Sequence, residues 1–114
     1  MAVFASRQIV MPVFHVAVTI TGTGAANYCY ATINGTKQYS AGTHEVNAGD
    51  TITFGVAGSI NEFGWVEIDG TEELLATDFA LKTYDWIVPS GISTIEIAMT
   101  YRSFTYGRIT VTTA

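Results

Sequence analysis

A chain of 114 residues with net charge −5, 48% hydrophobic and only 13% charged residues is about one domain of sequence, and a sparsely charged one. Its five cations, Arg7, Lys37, Lys82, Arg102 and Arg108, are scattered along the chain, which argues against nucleic acid and membrane as partners. Cys29 is the single cysteine, so an internal disulfide and a cysteine-built zinc site are both excluded.

A typical soluble domain is about 25% charged. So few charges imply exposed apolar surface, and such surface usually marks contacts. The first residues sharpen that expectation. "MAVFASRQIVMP", residues 1–12, is apolar, and Pro12 sets it off from the first clear strand pattern. It reads either as an arm on a neighbouring subunit or as the first strand of the domain, with 13–114 as the domain proper. Phe4, Ile9, Val10 and Met11 are the expected assembly anchors. A signal peptide is not expected, because Arg7 is the only early cation, Pro12 and His15 break the apolar run, and no small-x-small site comes after it.

From residue 13 onward the chain alternates with a period of two. Phe14, Val16, Val18 and Ile20 share one face of a strand over 13–21, opposite His15, Ala17, Thr19 and Thr21. Residues 28–33 alternate again, with Cys29, Ala31 and Ile33 on one side. Between two tyrosines and with no base or cation beside it, Cys29 reads as a small buried apolar group rather than a reactive thiol. Asn34-Gly35 then supplies a tight hairpin turn. Strands are expected at 36–39 and 43–46, and "NAGD" (47–50) turns the chain, with Asp50 placed to bond nearby backbone. Ile52, Phe54 and Val56 point one way in the next strand.

"FGWVEID" leads to a second hairpin signal at Asp69-Gly70. In "TEELLATDFALKTYDWIV" the expectation is a strand near 79–88, with one helical turn before it at Glu72–Leu75. "VPSG" (88–91) turns the chain, "STIEIAMTY" and "RITVTT" are the closing strands, and "RSFTYG" joins them. The total is about eight or nine strands spaced by roughly 8–12 residues, the pattern of an all-β antiparallel sandwich. "TINGT" and "EIDGT" form a faint internal echo, which either records a duplication or reflects good turn chemistry used twice.

Little here points to catalysis. His15 and His44 fall on different strands, short of the three or four convergent ligands a metal needs. Glu62, Glu67, Asp69, Glu72, Glu73 and Asp78 form an acidic cluster expected at one end of the molecule. It lacks the alternating acids of a calcium loop and a cleft that would face two carboxylates across a glycosidic bond. No G-x-S-x-G nucleophile turn occurs. The expectation is a non-enzyme with no cofactor and no metal. The loop aromatics are more informative. Phe63, Trp65, Tyr101, Phe104 and Tyr106 lie in or beside predicted loops, where they could cap the core, anchor a partner subunit or stack on a sugar.

At "VNAGDTITF" and "YDWIVPSGISTIEIAMTY" the chain resembles the immunoglobulin-like β-sandwich modules of bacterial surface proteins and bacteriophage virion proteins. In size, low charge and threonine content it is similar to small phage accessory proteins, the capsid decoration proteins and head or tail fibre modules. That resemblance implies a structural protein of the virion, assembled in the host cytoplasm. Its implied partners are a major capsid or tail protein and further copies of itself. It transfers no catalytic residues. The alternative is a carbohydrate- or cell-surface-binding module that meets a surface glycan through Trp65, Tyr101, Phe104 and Tyr106.

Overall fold

A computed structural model describes residues 15–114. The N-terminal segment and its expected anchors Phe4, Ile9, Val10 and Met11 lie outside the described residues. The rest is an all-β sandwich of ten strands: β1 (His15–Thr23), β2 (Cys29–Ile33), β3 (Thr36–Gln38), β4 (Ser40–Asn47), β5 (Thr51–Val56), β6 (Gly64–Ile68), β7 (Thr71–Ala76), β8 (Lys82–Ile87), β9 (Thr94–Arg102) and β10 (Tyr106–Thr113).

The period-two pattern becomes a buried face in each long strand. Val16, Val18 and Ile20 of β1, Ile95 and Ile97 of β9, and Ile109 and Val111 of β10 are all within 1% of complete burial. Ile52, Phe54 and Val56 close over them from β5. Each such side chain contributes about 1.5–3 kcal/mol through removal from water. A one-residue slip would expose the whole set, so register is strongly specified.

One sheet has the order β4-β1-β9-β10-β6-β7 and the other β3-β2-β5-β8. Most neighbours are antiparallel, but β1 runs parallel to β9, and β6 parallel to β10. Asn34-Gly35 and Asp69-Gly70 each form a two-residue turn with both φ angles positive, between +49° and +84°, as the hairpins β2–β3 and β6–β7 require. The two echoing turns thus lie in opposite sheets. Asp50 bonds backbone as expected, its Oδ2 accepting from the Asn47 N–H at 2.9 Å.

Two expectations are corrected. Glu72–Leu75 is not a helical turn but part of β7, the seventh of the ten strands. The Asp69-Gly70 hairpin folds it back on β6, where Trp65 faces Leu75 and Val66 faces Leu74, and Ala76 is completely buried. Ladder bonds and burial outweigh a modest helical propensity. The acidic residues, for their part, do not crowd one end. The β6–β7 hairpin carries Glu67, Asp69 and Glu72 toward its turn, while Glu62 and Asp78 sit in loops at the opposite end.

Strand directions sort the connections into two groups. The turns at 34–35, 48–50, 69–70 and 88–93 lie at one end, the turn end. The segments 24–28, 57–63, 77–81 and 103–105 lie at the other, the loop end.

Candidate functional site

The loop end carries most of the large apolar side chains that the fold leaves exposed: Tyr28, Ile60, Phe63, Phe79, Leu81 and Phe104. Among them opens a cleft of about 330 Å³, lined by Tyr28, Ala57, Gly58, Phe79, Tyr101, Phe104, Thr105 and Tyr106. Three of the five loop aromatics singled out in the sequence, Tyr101, Phe104 and Tyr106, are brought together there, while Phe63 and Trp65 are not in the lining. Tyr28 and Phe79 complete the wall and were missed by sequence reasoning, because both read as strand residues in an alternating run.

Backbone bonds hold the wall in place. The Ala57 N–H donates to the Tyr28 carbonyl at 2.9 Å, and the Gly107 N–H donates to the Ala57 carbonyl at 2.8 Å. The Gly58 N–H donates to the Asp78 carbonyl at 2.8 Å. Three loops and the start of β10 are therefore laced together main chain to main chain. The approach is so close that a Cβ on Gly107 would sit 2.4 Å from the Tyr28 carbonyl oxygen. Within the 57–63 loop, Ser59 Oγ accepts from the Glu62 N–H and donates to the Glu62 carbonyl, both at 3.1 Å. Tyr28 and Tyr101 stack with ring centroids 6.2 Å apart and 23° between their planes.

Trp65 is not in the cleft lining. It lies beside the cleft, tied to it through Arg108, its register partner on β10. The Arg108 guanidinium is 3.9 Å from the Trp65 ring centroid and 3.6 Å from that of Tyr106, a cation held between two rings. Its Nε donates to the Phe63 carbonyl at 3.0 Å, and Glu62 stands 4.0 Å away. A desolvated cation–π contact contributes on the order of 1–2 kcal/mol. The arrangement fixes the orientation of Tyr106, which belongs to both the stack and the cleft.

Among the described residues Phe104 is the non-glycine residue that combines positive φ with a large exposed apolar side chain. It is 87% exposed and has φ of +59°, in a turn closed by the Thr105 N–H donating to the Arg102 carbonyl at 3.0 Å. Left-handed backbone costs a residue with a side chain about 1–2 kcal/mol. Here that cost is borne by a ring that buries almost nothing within its own chain. Strain of this kind persists where the surroundings impose it, and it clusters at functional positions.

The remaining candidates have local explanations. Cys29 is completely buried, with Sγ 3.8 Å from the Arg108 carbonyl and 3.9 Å from that of Thr100; burial pushes its thiol up to about 12, so it carries no thiolate at neutral pH. His15 pairs with Glu45 at 2.7 Å, and His44 lies on the adjoining strand β4. Among the described residues no group of three potential ligands surrounds a metal position. Asp78 is used locally, its Oδ1 accepting from the Ala80 N–H at 2.9 Å. Compared with known proteins, the chain matches no family model, no curated protein and no solved structure.

Proposed function

We propose that this chain is a non-enzymatic structural subunit of a multi-copy assembly, docking through its loop end, which offers an apolar cleft to a side chain of a protein partner. The observation that carries the reading is Phe104, a strained and exposed aromatic beside a cleft built from four other rings. Exposed aromatics around a pocket are the usual anchors of protein contacts. A wall laced by backbone bonds also spends little entropy on ordering when a partner arrives. The virion setting, as a capsid decoration or fibre module, comes from the resemblance of the sequence and enters the proposal on that basis.

The chemistry of the lining favours a protein over a sugar. Carbohydrate sites combine stacking with fixed polar groups that read hydroxyls. The cleft lining has no carboxylate, amide or cationic side chain; its side-chain polar groups are three tyrosine hydroxyls and that of Thr105, which already donates to the Ser103 carbonyl at 3.2 Å.

The test is an amide-resolved NMR titration with two sets of probes, N-acetyl-leucinamide and N-acetyl-tryptophanamide against cellobiose and chitobiose. Shifts at Tyr28, Tyr101, Phe104 and Tyr106 with the amino-acid amides alone are the expected result. Shifts with the sugars alone would move the reading to a glycan-binding module, and no shifts with either would remove the cleft as a site. Light scattering on residues 1–114 and 13–114 then tests the N-terminal segment: a folded species that loses mass on truncation is expected if that segment also holds the assembly together.

A further inference from the structure

Charge and apolar surface are distributed unequally along the long axis of the sandwich. Among the described residues Lys82, Arg102 and Arg108 are at the loop end, and Lys82 and Arg102 are exposed there. The acids at this end are Glu62, 3.9 Å from Arg102, and Asp78, so three cations stand against two carboxylates. Toward the turn end lie Glu45, Asp50, Glu67, Asp69, Glu72 and Glu96, against no cation among the described residues but Lys37 on β3. A chain of net charge −5 thus has one end that is not acidic, and it is the end with the aromatic cleft.

The turn end has a matching feature. Ile87, the last residue of β8, is 64% exposed. It pairs with Thr51 at the start of β5, where the adjoining Val88 N–H donates to the Asp50 carbonyl at 2.8 Å. Asp85 stands two residues before it on the same face of the strand, held by the Thr53 hydroxyl at 2.7 Å. An exposed β-branched apolar side chain with the Asp85 carboxylate on its own face stands away from the core, on an edge strand with one side unpaired.

We infer that the partner of the cleft is a second copy of this chain, arranged head to tail, with Ile87 of one copy seated among Tyr28, Phe79, Tyr101 and Phe104 of the next. Asp85 then approaches Lys82 and Arg102, the exposed cations of the loop end. The inference rests on the reading of the loop end as a docking surface and adds the identity of what docks. Cleft and knob are on opposite ends, so the contact is heterologous. Repeated, it generates a ring or an open filament rather than a closed two-fold dimer.

The test uses the full chain and two variants, Ile87→Asp and Phe104→Asp, both at exposed positions where the fold is expected to survive, as checked by circular dichroism. Sedimentation should show wild-type species growing with concentration. Raising salt from roughly 0.05 to 0.5 M should weaken them several-fold, as expected where exposed opposite charges meet. Each variant alone should be monomeric, with self-association weakened at least about tenfold, the effect of losing one buried anchor. An equimolar mixture should give a dimer and nothing larger, because each variant retains the half that the other lacks.

A wild-type monomer at every concentration overturns the inference, as does a mixture that stays monomeric or an assembly insensitive to both changes. If the cleft still takes the amino-acid amides in the NMR titration, the failure is confined to the head-to-tail contact and the docking surface belongs to a different protein. If the amides fail as well, both readings fall.

Discussion

The two ends of this sandwich answer one backbone demand in opposite ways. At the turn end, positive φ is assigned to Gly35, Gly49, Gly70 and Gly91, where an added Cβ would meet nothing within 4 Å, and to Asn34 and Asp69, short polar residues that tolerate it better than a bulky side chain does. These turns are short and open, with small residues where the backbone bends most. At the loop end the same region of φ falls to Gly22 and to Phe104, a bulky residue whose side chain is almost wholly exposed. One end is organised to close strands economically. The other keeps bulky side chains where folding alone would favour small ones.

The largest expected effect separates closeness from openness. Gly64→Ala would place a Cβ 2.2 Å from the Ala57 carbonyl oxygen and 2.6 Å from that of Gly107, two main-chain atoms in the lacing of the loop end. The cost should reach about 3 kcal/mol or more, read from the urea midpoint, because backbone cannot yield as a side chain can. Next comes Arg108→Met, which removes the cation between Trp65 and Tyr106 and its bond to the Phe63 carbonyl. A loss of about 1–2 kcal/mol is expected, with a shift in tryptophan emission as the Trp65 ring loses its cover.

The third prediction sets the ends against each other directly. Gly35→Ala introduces backbone strain without a clash and should cost about 1 kcal/mol. Phe104→Gly should leave stability unchanged or raise it by up to about 1 kcal/mol, while weakening docking at the cleft. Equal losses at both sites would mean that Phe104 is held by packing rather than by function, and the contrast between the ends would collapse.

The smallest effect is a pH dependence confined to the turn end. Asp69 accepts from the Thr113 hydroxyl at 2.6 Å and from the Thr113 N–H at 2.8 Å, and these bonds hold its carboxyl below the ordinary 3.8. A depressed carboxylate contributes stability that is present above the unfolded value and is lost as pH falls through the folded one. Urea midpoints measured between pH 5 and the acid limit of folding should therefore fall more steeply for wild type than for Asp69→Asn. Identical slopes would show that the bonds to Thr113 contribute nothing measurable.

Much of this architecture was legible in the alternation of side chains. Val16, Val18 and Ile20 declare a buried face whatever strand lies next to them, and Asn34-Gly35 declares a hairpin because few residues tolerate its φ angles. What alternation does not encode is partner and direction. The parallel contacts of β1 with β9 and of β6 with β10 have the same residue pattern as antiparallel ones. For the same reason the helix-forming residues Glu72–Leu75 misled: their strand state depends on β6 being available across the turn.

The site was half legible. Tyr101, Phe104 and Tyr106 stand close in sequence, so their gathering needs no knowledge of topology. Tyr28 and Phe79 come from distant segments and join them only because β2 and β8 both begin at the loop end. Trp65 read as one of the group and proved to be its neighbour, since the β6–β10 register gives it Arg108 rather than the cleft. In "RSFTYG" the sequence also hides the strain at Phe104, because nothing in that stretch names which residue takes the left-handed turn.

The parallel pairing of β1 with β9 has a consequence in time. Ala17 must wait for Thr94, and Thr23 for Thr100, before the six-stranded sheet can join across its middle. At ribosomal speeds of about 5–20 residues per second, that is a delay of roughly four to fifteen seconds. Throughout it β1 can hold only β4, with Val16, Val18 and Ile20 uncovered on one flank. Until β9 is made, that flank of β1 stays open to strands of a neighbouring copy. High contact order of this kind slows closure and invites exchange of strands between copies.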